Sequence, residues 1–182
     1  MFNESKTTQA AARLVKKSGG KMNYMLLVKM LYMADRRSLL ESGLPITYDR
    51  FYTMKNGPIL SVTLELISKP QNFSGRHPWL DTFVTENYEV KMLADFDQGE
   101  LSEFEEEILD KTFERFEHFL HERVFAFPDW MHANLPEVKT IECGRIPLEF
   151  REILEAENRS PEEIETILSG IESVDLIDTL TK

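Results

Sequence analysis

N-Y-M-L-L-V-K-M-L-Y-M-A-D-R-R-S-L-L-E-S-G, residues 23–43, is the stretch on which the reading of the fold turns. Asn23 is a favoured N-cap and Gly43 a favoured C-terminal stop, so the spacing predicts a helix running to Ser42. Leu27, Met30, Leu31 and Ala34 recur at i, i+3, i+4 and i+7. Leu26, Met33 and Leu40 widen that stripe until only a narrow polar line remains, the pattern of a helix packed on most sides. The line is Met25, Lys29, Tyr32 and Arg36, at i, i+4, i+7 and i+11. A Tyr flanked by two cations suits a partner-binding surface, and equally suits a border against solvent or against the preceding helix.

Working outward, a first helix is expected from Ser5 to Ser18, stopped by Gly19-Gly20. After the second helix, Pro45 breaks the pattern and Ile46 to Met54 reads as extended. Asn56-Gly57-Pro58 marks a turn leading into a short helix from Ser61 to Ser68. A polar loop covers residues 69–80, and Phe83 to Leu93 suggests a hairpin turning at Glu86-Asn87. Ser102 and Glu105 form a capping box for an acidic helix to about Arg123, with Phe104, Ile108, Phe116 and Leu120 as its buried stripe. Shorter helices are expected at Asp129–Ala133 and Leu148–Ala156, another starting at Ser160-Pro161, and a terminal one at Val174–Leu180. The fold class is mainly α (α+β): a single helical domain, residues 1–182, with a small antiparallel sheet or hairpin inserted.

Charge divides the chain. Net charge is −11, yet residues 1–91 hold 13 Lys or Arg against 8 Asp or Glu, while residues 92–182 hold 8 against 24. The acidic half would repel phosphate, which argues against nucleic acid as the main partner. No apolar run approaches the length of a membrane span, and Met1-Phe2-Asn3-Glu4 lacks the basic-then-apolar order of a signal peptide, so a cytoplasmic protein is expected. The single cysteine, Cys143, excludes an intramolecular disulfide framework.

Catalytic patterns are lacking. There is no Gly-rich phosphate loop, no G-x-S-x-G elbow and no H-E-x-x-H. Glu114, His118 and His121 would share one helix face, but that face lies away from the apolar stripe and reads as solvated. No cofactor and no metal are expected.

Three further strings, taken with the helix, give the chain its likeness: L-V-K-M-L-Y-M-A-D-R-R from Leu27, G-L-P-I-T-Y-D-R-F from Gly43, and M-K-N-G-P from Met54. Together they resemble the Panacea domain, the SocA-like antitoxin family of phage-associated proteins. The resemblance extends through Asp129-Trp130-Met131-His132, Leu135-Pro136-Glu137 and Ile146-Pro147-Leu148, covering about residues 8–172. Where the family often places Trp after the Pro-Glu pair, this chain has Val138. The resemblance implies a non-enzymatic antitoxin whose partner is a toxin protein encoded nearby, neutralised by direct masking or by delivery to a cytoplasmic protease. It also implies a mainly helical domain with a small sheet.

Within these motifs, Asp35, Asp49, Asn56, Gly57 and Pro58 read as architectural. Asp35 and Arg36 are expected to interlock with Asp49 and Arg50 as ion pairs between helix and sheet. Lys29, Tyr32, Arg36, Arg37, Tyr48, Arg50 and Lys55 are the expected partner-binding residues, since they combine aromatic and cationic character in the basic half. Two other classes compete. One is a nucleic-acid-binding autoregulator using the basic half, without an evident helix-turn-helix. The other is an enzyme with a site around Trp130, His132 and Cys143, for which no nucleophile, base and orienting group can be assigned.

Overall fold

The computed structural model describes residues 2–180 apart from 74, 76, 97, 98 and 124, and the side chains of residues 175 and 177–180 are likewise left aside. Helix α1, Glu4–Lys17, begins where the Asn3 side chain accepts from the Lys6 amide at 3.0 Å. It ends at Gly19-Gly20, both at positive φ, with the Gly20 amide returned to Val15 O. Strand β1, Lys21–Asn23, follows at once and leads into α2, Tyr24–Ser42. Asn23 Oδ1 caps α2 through the Met25 amide at 3.0 Å, and Gly43 closes it at φ +80°.

Helix α2 is the axis of the molecule. Its buried residues include the apolar stripe and also Lys29, Tyr32, Asp35, Arg36 and Ser38. Of the polar line read from the sequence, Lys29, Tyr32 and Arg36 are therefore covered and Met25 is half-buried, and every residue from Leu26 to Arg36 is buried.

The strands form two three-stranded antiparallel sheets where one was expected. In the second sheet, β2 (Phe51–Met54) lies between β3 (Gly57–Leu60) and β6 (Arg145–Pro147). The β2–β3 pairing sets Met54 against Gly57 and Thr53 against Pro58. Residues 57–60 thus continue as a strand before α3 (Ser61–Ser68), and Pro58 is accommodated because β3 is an edge. The extended segment from Ile46 pairs as a strand only from Phe51.

Helix α4, Pro78–Thr82, occupies part of the expected loop and precedes β4 (Phe83–Glu86). The first sheet joins β4 to β5 (Glu89–Met92) through Asn87 and Tyr88, both left-handed at φ 50° and 65°. β1 adds to β5, with Met22 opposite Val90. Both three-residue strands, β1 and β6, are too short to show alternation, which is why the sequence does not reveal them.

The capping box at Ser102 and Glu105 starts α5, Glu103–Phe116, as expected. The helix then tightens into a 3-10 turn over Glu117–His121 instead of continuing to Arg123. Its buried side is Ile108, Leu109, Thr112, Phe113 and Phe116, while Phe104 is 38% exposed. Helix α6 covers Ala126–Asn134, α7 Phe150–Ala156, and α8 runs unbroken from Pro161 to Leu180, absorbing the separate terminal helix expected at Val174. No described helix is long and apolar enough to cross a membrane.

Candidate functional site

Asp35 and Asp49 do not pair with the arginines beside them. Asp35 Oδ1 accepts the amides of Ile46 and Thr47, each at 2.9 Å, and Oδ2 accepts the Thr47 hydroxyl. It pins the chain where α2 hands over to the sheet. Asp49 Oδ1 accepts the amide of Val62 at 2.9 Å, and Oδ2 accepts the amide and hydroxyl of Thr63 at 2.8 and 2.7 Å. It supplies the cap that Leu60 cannot give α3, placing an anion at the positive end of that helix. The expected ion-pair interlock is replaced by two carboxylates serving backbone N–H groups. Burial pushes Asp35 up to about 7 and raises Asp49 as well, against the pull of those same bonds.

Arg36 turns to residues far along the chain. Its Nε and Nη2 donate to the two oxygens of Glu137 at 2.7 and 3.0 Å, a bidentate fork, and Nη2 also reaches Glu157. The Tyr32 hydroxyl donates to Glu137 Oε1 at 2.8 Å. Burial, then the Glu137 charge, raises the Tyr32 phenol well above its ordinary value. Burial disfavours charge on Arg36, but its bonds to Glu137 outweigh that and hold it fully protonated. Tyr32, Arg36 and Glu137 form a closed polar knot within the core; Lys29, Tyr32 and Arg36 do not form a free face.

Thr47 and Asp49 are both drawn inward by these networks, and Tyr48 between them is left at φ +53°, a costly setting for an aromatic residue. Tyr48, Arg50 and Tyr52 line a cleft of about 310 Å³ whose opposite wall is Pro147, Phe150 and Ile171. The Arg145 guanidinium sits 4.7 Å from the centre of the Tyr52 ring. Arg50 and Arg145 are exposed and Tyr48 and Tyr52 half-buried, so this face offers rings and guanidinium groups together. Lys55, also exposed, occupies the β2–β3 turn, where His132 Nε2 donates to its carbonyl at 3.1 Å. Arg37 is taken up by Glu41, one turn later on α2, at 2.6 Å.

Of the seven expected partner-binding residues, then, Tyr48 and Arg50 line one accessible cleft, Lys55 is exposed in the adjoining turn, Arg37 is held by Glu41, and Lys29, Tyr32 and Arg36 are buried. The sequence reading missed Tyr52, Arg145, Glu137 and Glu157. Tyr52 fell between the G-L-P-I-T-Y-D-R-F and M-K-N-G-P strings, and Glu137 inside the Leu135-Pro136-Glu137 string, but nothing local signals partners so distant.

The enzyme alternative gains no constellation here. Cys143 is exposed. Glu114 lies on α5, whereas His118 and His121 fall in the 3-10 turn, so the three do not share one helix face. Among the described residues no group of three His, Cys, Asp or Glu could hold a metal ion.

The arrangement of residues 27–134 matches the family model described as antitoxin SocA-like, Panacea domain. The chain belongs to this antitoxin family. The matched stretch is more than half the protein and takes in α2 from Leu27 onward, the Asp35 and Asp49 pins and the segment from Tyr48 to Lys55. No curated protein and no solved structure matches the chain.

Proposed function

We propose that this protein neutralises a toxin protein encoded beside it by binding it directly, and that Tyr48, Arg50, Tyr52, Lys55 and Arg145 form the contact face. Membership of the antitoxin family carries the reading, and an antitoxin role needs no catalytic group of its own. The contact face is supported by its chemistry. Tyr and Arg dominate interface hot spots because they add large contact area and directional hydrogen bonds together. The Tyr32 ring of the buried knot packs against Phe51 of β2, 5.3 Å between centroids, so the strand carrying that face is backed by the core.

Growth rescue tests the reading. Cells expressing the neighbouring toxin should survive when this protein is co-expressed. Arg50→Glu or Arg145→Glu should abolish rescue and weaken calorimetric affinity by about 2 kcal/mol or more while the fold persists. Charge changes at exposed Glu114 on the acidic helix, at exposed Glu117 just after it, or at half-buried Glu106, which pairs with Arg13, should alter affinity by no more than a few tenths of a kcal/mol. Toxin abundance separates the two modes: masking leaves it unchanged in rescued cells, whereas delivery to a protease lowers it. Rescue that survives both arginine reversals but fails on changes in the acidic helix would move the interface there.

A further inference from the structure

Lys29 is 1% exposed, yet among the described residues it forms no ion pair. Among the described residues its ammonium group donates to a single acceptor, the Pro58 carbonyl at 3.2 Å, leaving two of its three N–H groups without a described partner. Burying a cation in this way is costly unless something else supplies the counter-charge. The side chain borders a cavity of about 180 Å³ between α2 and the β2–β3 turn. Val28, Met54, Ile59 and Leu64 give that cavity apolar walls, Asn56 adds an amide and Lys55 a second cation. No Asp or Glu is found among its described lining residues.

The turn is shaped to admit the ammonium. Gly57 is at φ +85°, and a Cβ there would stand 3.3 Å from Lys29 Nζ and 3.9 Å from His132 Nε2. The absence of a side chain lets the turn close over the cation while leaving the cavity beside it open. Burial alone lowers the amine from 10.5 to about 7, a measure of how poorly the protein by itself satisfies its charge.

We propose that this cavity binds a carboxylate carrying a short apolar body, with Lys29 as its counter-charge and the Asn56 amide as a further donor. The carboxylate would complete the empty N–H positions of Lys29, and the apolar part would fill the space lined by Val28, Ile59 and Leu64. A singly charged carboxylate fits better than a phosphate dianion, which would have to shed a second charge's hydration against those walls. The inference stands independently of toxin binding. Its source is either a free monocarboxylic acid or a Glu side chain presented by a partner.

The test uses the full chain and its amide and side-chain resonances. Acetate, butyrate, hexanoate, a blocked peptide with one Glu between apolar residues, its Gln counterpart and inorganic phosphate are titrated at matched ionic strength. Butyrate, hexanoate or the Glu peptide should shift the Gly57 and Asn56 amides and the Lys29 Cε signal to saturation, with phosphate and the Gln peptide inert. Lys29→Met, which keeps the volume and removes the buried charge, should stay folded and bind at least about tenfold more weakly. Tighter binding of the Glu peptide than of the free acids assigns the source to a partner, and the reverse order to a small molecule. No saturable shift with any carboxylate, equal affinity in Lys29→Met, or phosphate binding as tight as butyrate overturns the proposal.

Discussion

Tyr32 and Glu137 stand 105 residues apart in the chain and meet in a 2.8 Å hydrogen bond inside the core. The same carboxylate takes both arms of Arg36, and its side chain is 0% exposed. One residue therefore satisfies a buried phenol and a buried guanidinium at once.

Glu137→Ala should destabilise the fold by about 3–5 kcal/mol, because Tyr32 and most of the Arg36 fork lose their acceptor together. Urea denaturation measures this. Removing both charges, as in Arg36→Met with Glu137→Leu, should recover much of that loss, since well-packed apolar groups can replace a buried ion pair. A double variant no better than Glu137→Ala would show that the knot is needed for more than charge balance.

Asp35 is expected to tolerate its amide and not its deletion. Asp35→Ala orphans the Ile46 and Thr47 amides and the Thr47 hydroxyl, a loss of roughly 3 kcal/mol or more. Asp35→Asn keeps an acceptor for both amides and should cost about 1 kcal/mol or less near pH 5. Burial raises this acid from 3.8 to about 7, so the folded protein holds a proton that the unfolded chain has lost across that window. The stability from that proton falls as pH rises through about 7, and Asn does not titrate. Asp35→Asn should thus gain on the wild type as pH rises from about 4 to about 7 and keep that gain above it, as thermal unfolding at several pH values would reveal.

Lys29 has the opposite sign. Its amine is lowered from 10.5 to about 7, so between those values the unfolded chain binds a proton that the folded protein does not. Stability attributable to this residue therefore rises with pH across the window, and below it the full cost, on the order of a few kcal/mol, is present. Lys29→Met should be more stable than wild type near neutrality, with the gap closing toward about pH 10. A gap that does not vary with pH would contradict the buried, unpaired ammonium.

Gly57→Ala combines a left-handed backbone with a close approach to Lys29 Nζ. The backbone alone costs about 1 kcal/mol. The melting temperature should fall while toxin affinity of the folded protein is unchanged. An unchanged melting temperature with lost binding would assign the turn to recognition.

The helices were readable wherever caps and periodicity coincide. Asn23 and Gly43 bracket α2, and Ser102 with Glu105 opens α5, because a cap is a local bargain between a side chain and the next turn of backbone. The glycine turn at Gly57 was legible for the same reason. What failed were statements about the far side of each residue. Lys29, Tyr32 and Arg36 share a helix face, but periodicity cannot tell whether that face meets water or a second polar layer. Arg36 was expected to find Asp49, its neighbour in the motif, and instead found Glu137 and Glu157. Asp49 showed its carboxylate in the sequence but not that two paired strands would intervene and bring it back to the start of α3. Long-range partners are set by tertiary packing, which no window of sequence contains.

The Arg36 knot also separates what makes the protein recognisable from what lets it stand. The stretch that matches the family model ends at residue 134, yet the carboxylates that receive Arg36 and Tyr32 come from beyond it, on Glu137 and Glu157. From the same direction, Arg159 donates to the Leu40 carbonyl and holds the end of α2. A shortened chain stopping at residue 134 would keep the whole stretch that matches the family model and lose anchors of its central helix. It would carry a buried guanidinium with no anion to meet it, and such a fragment should open up. The matched stretch and the supports of α2 therefore have different borders in this molecule.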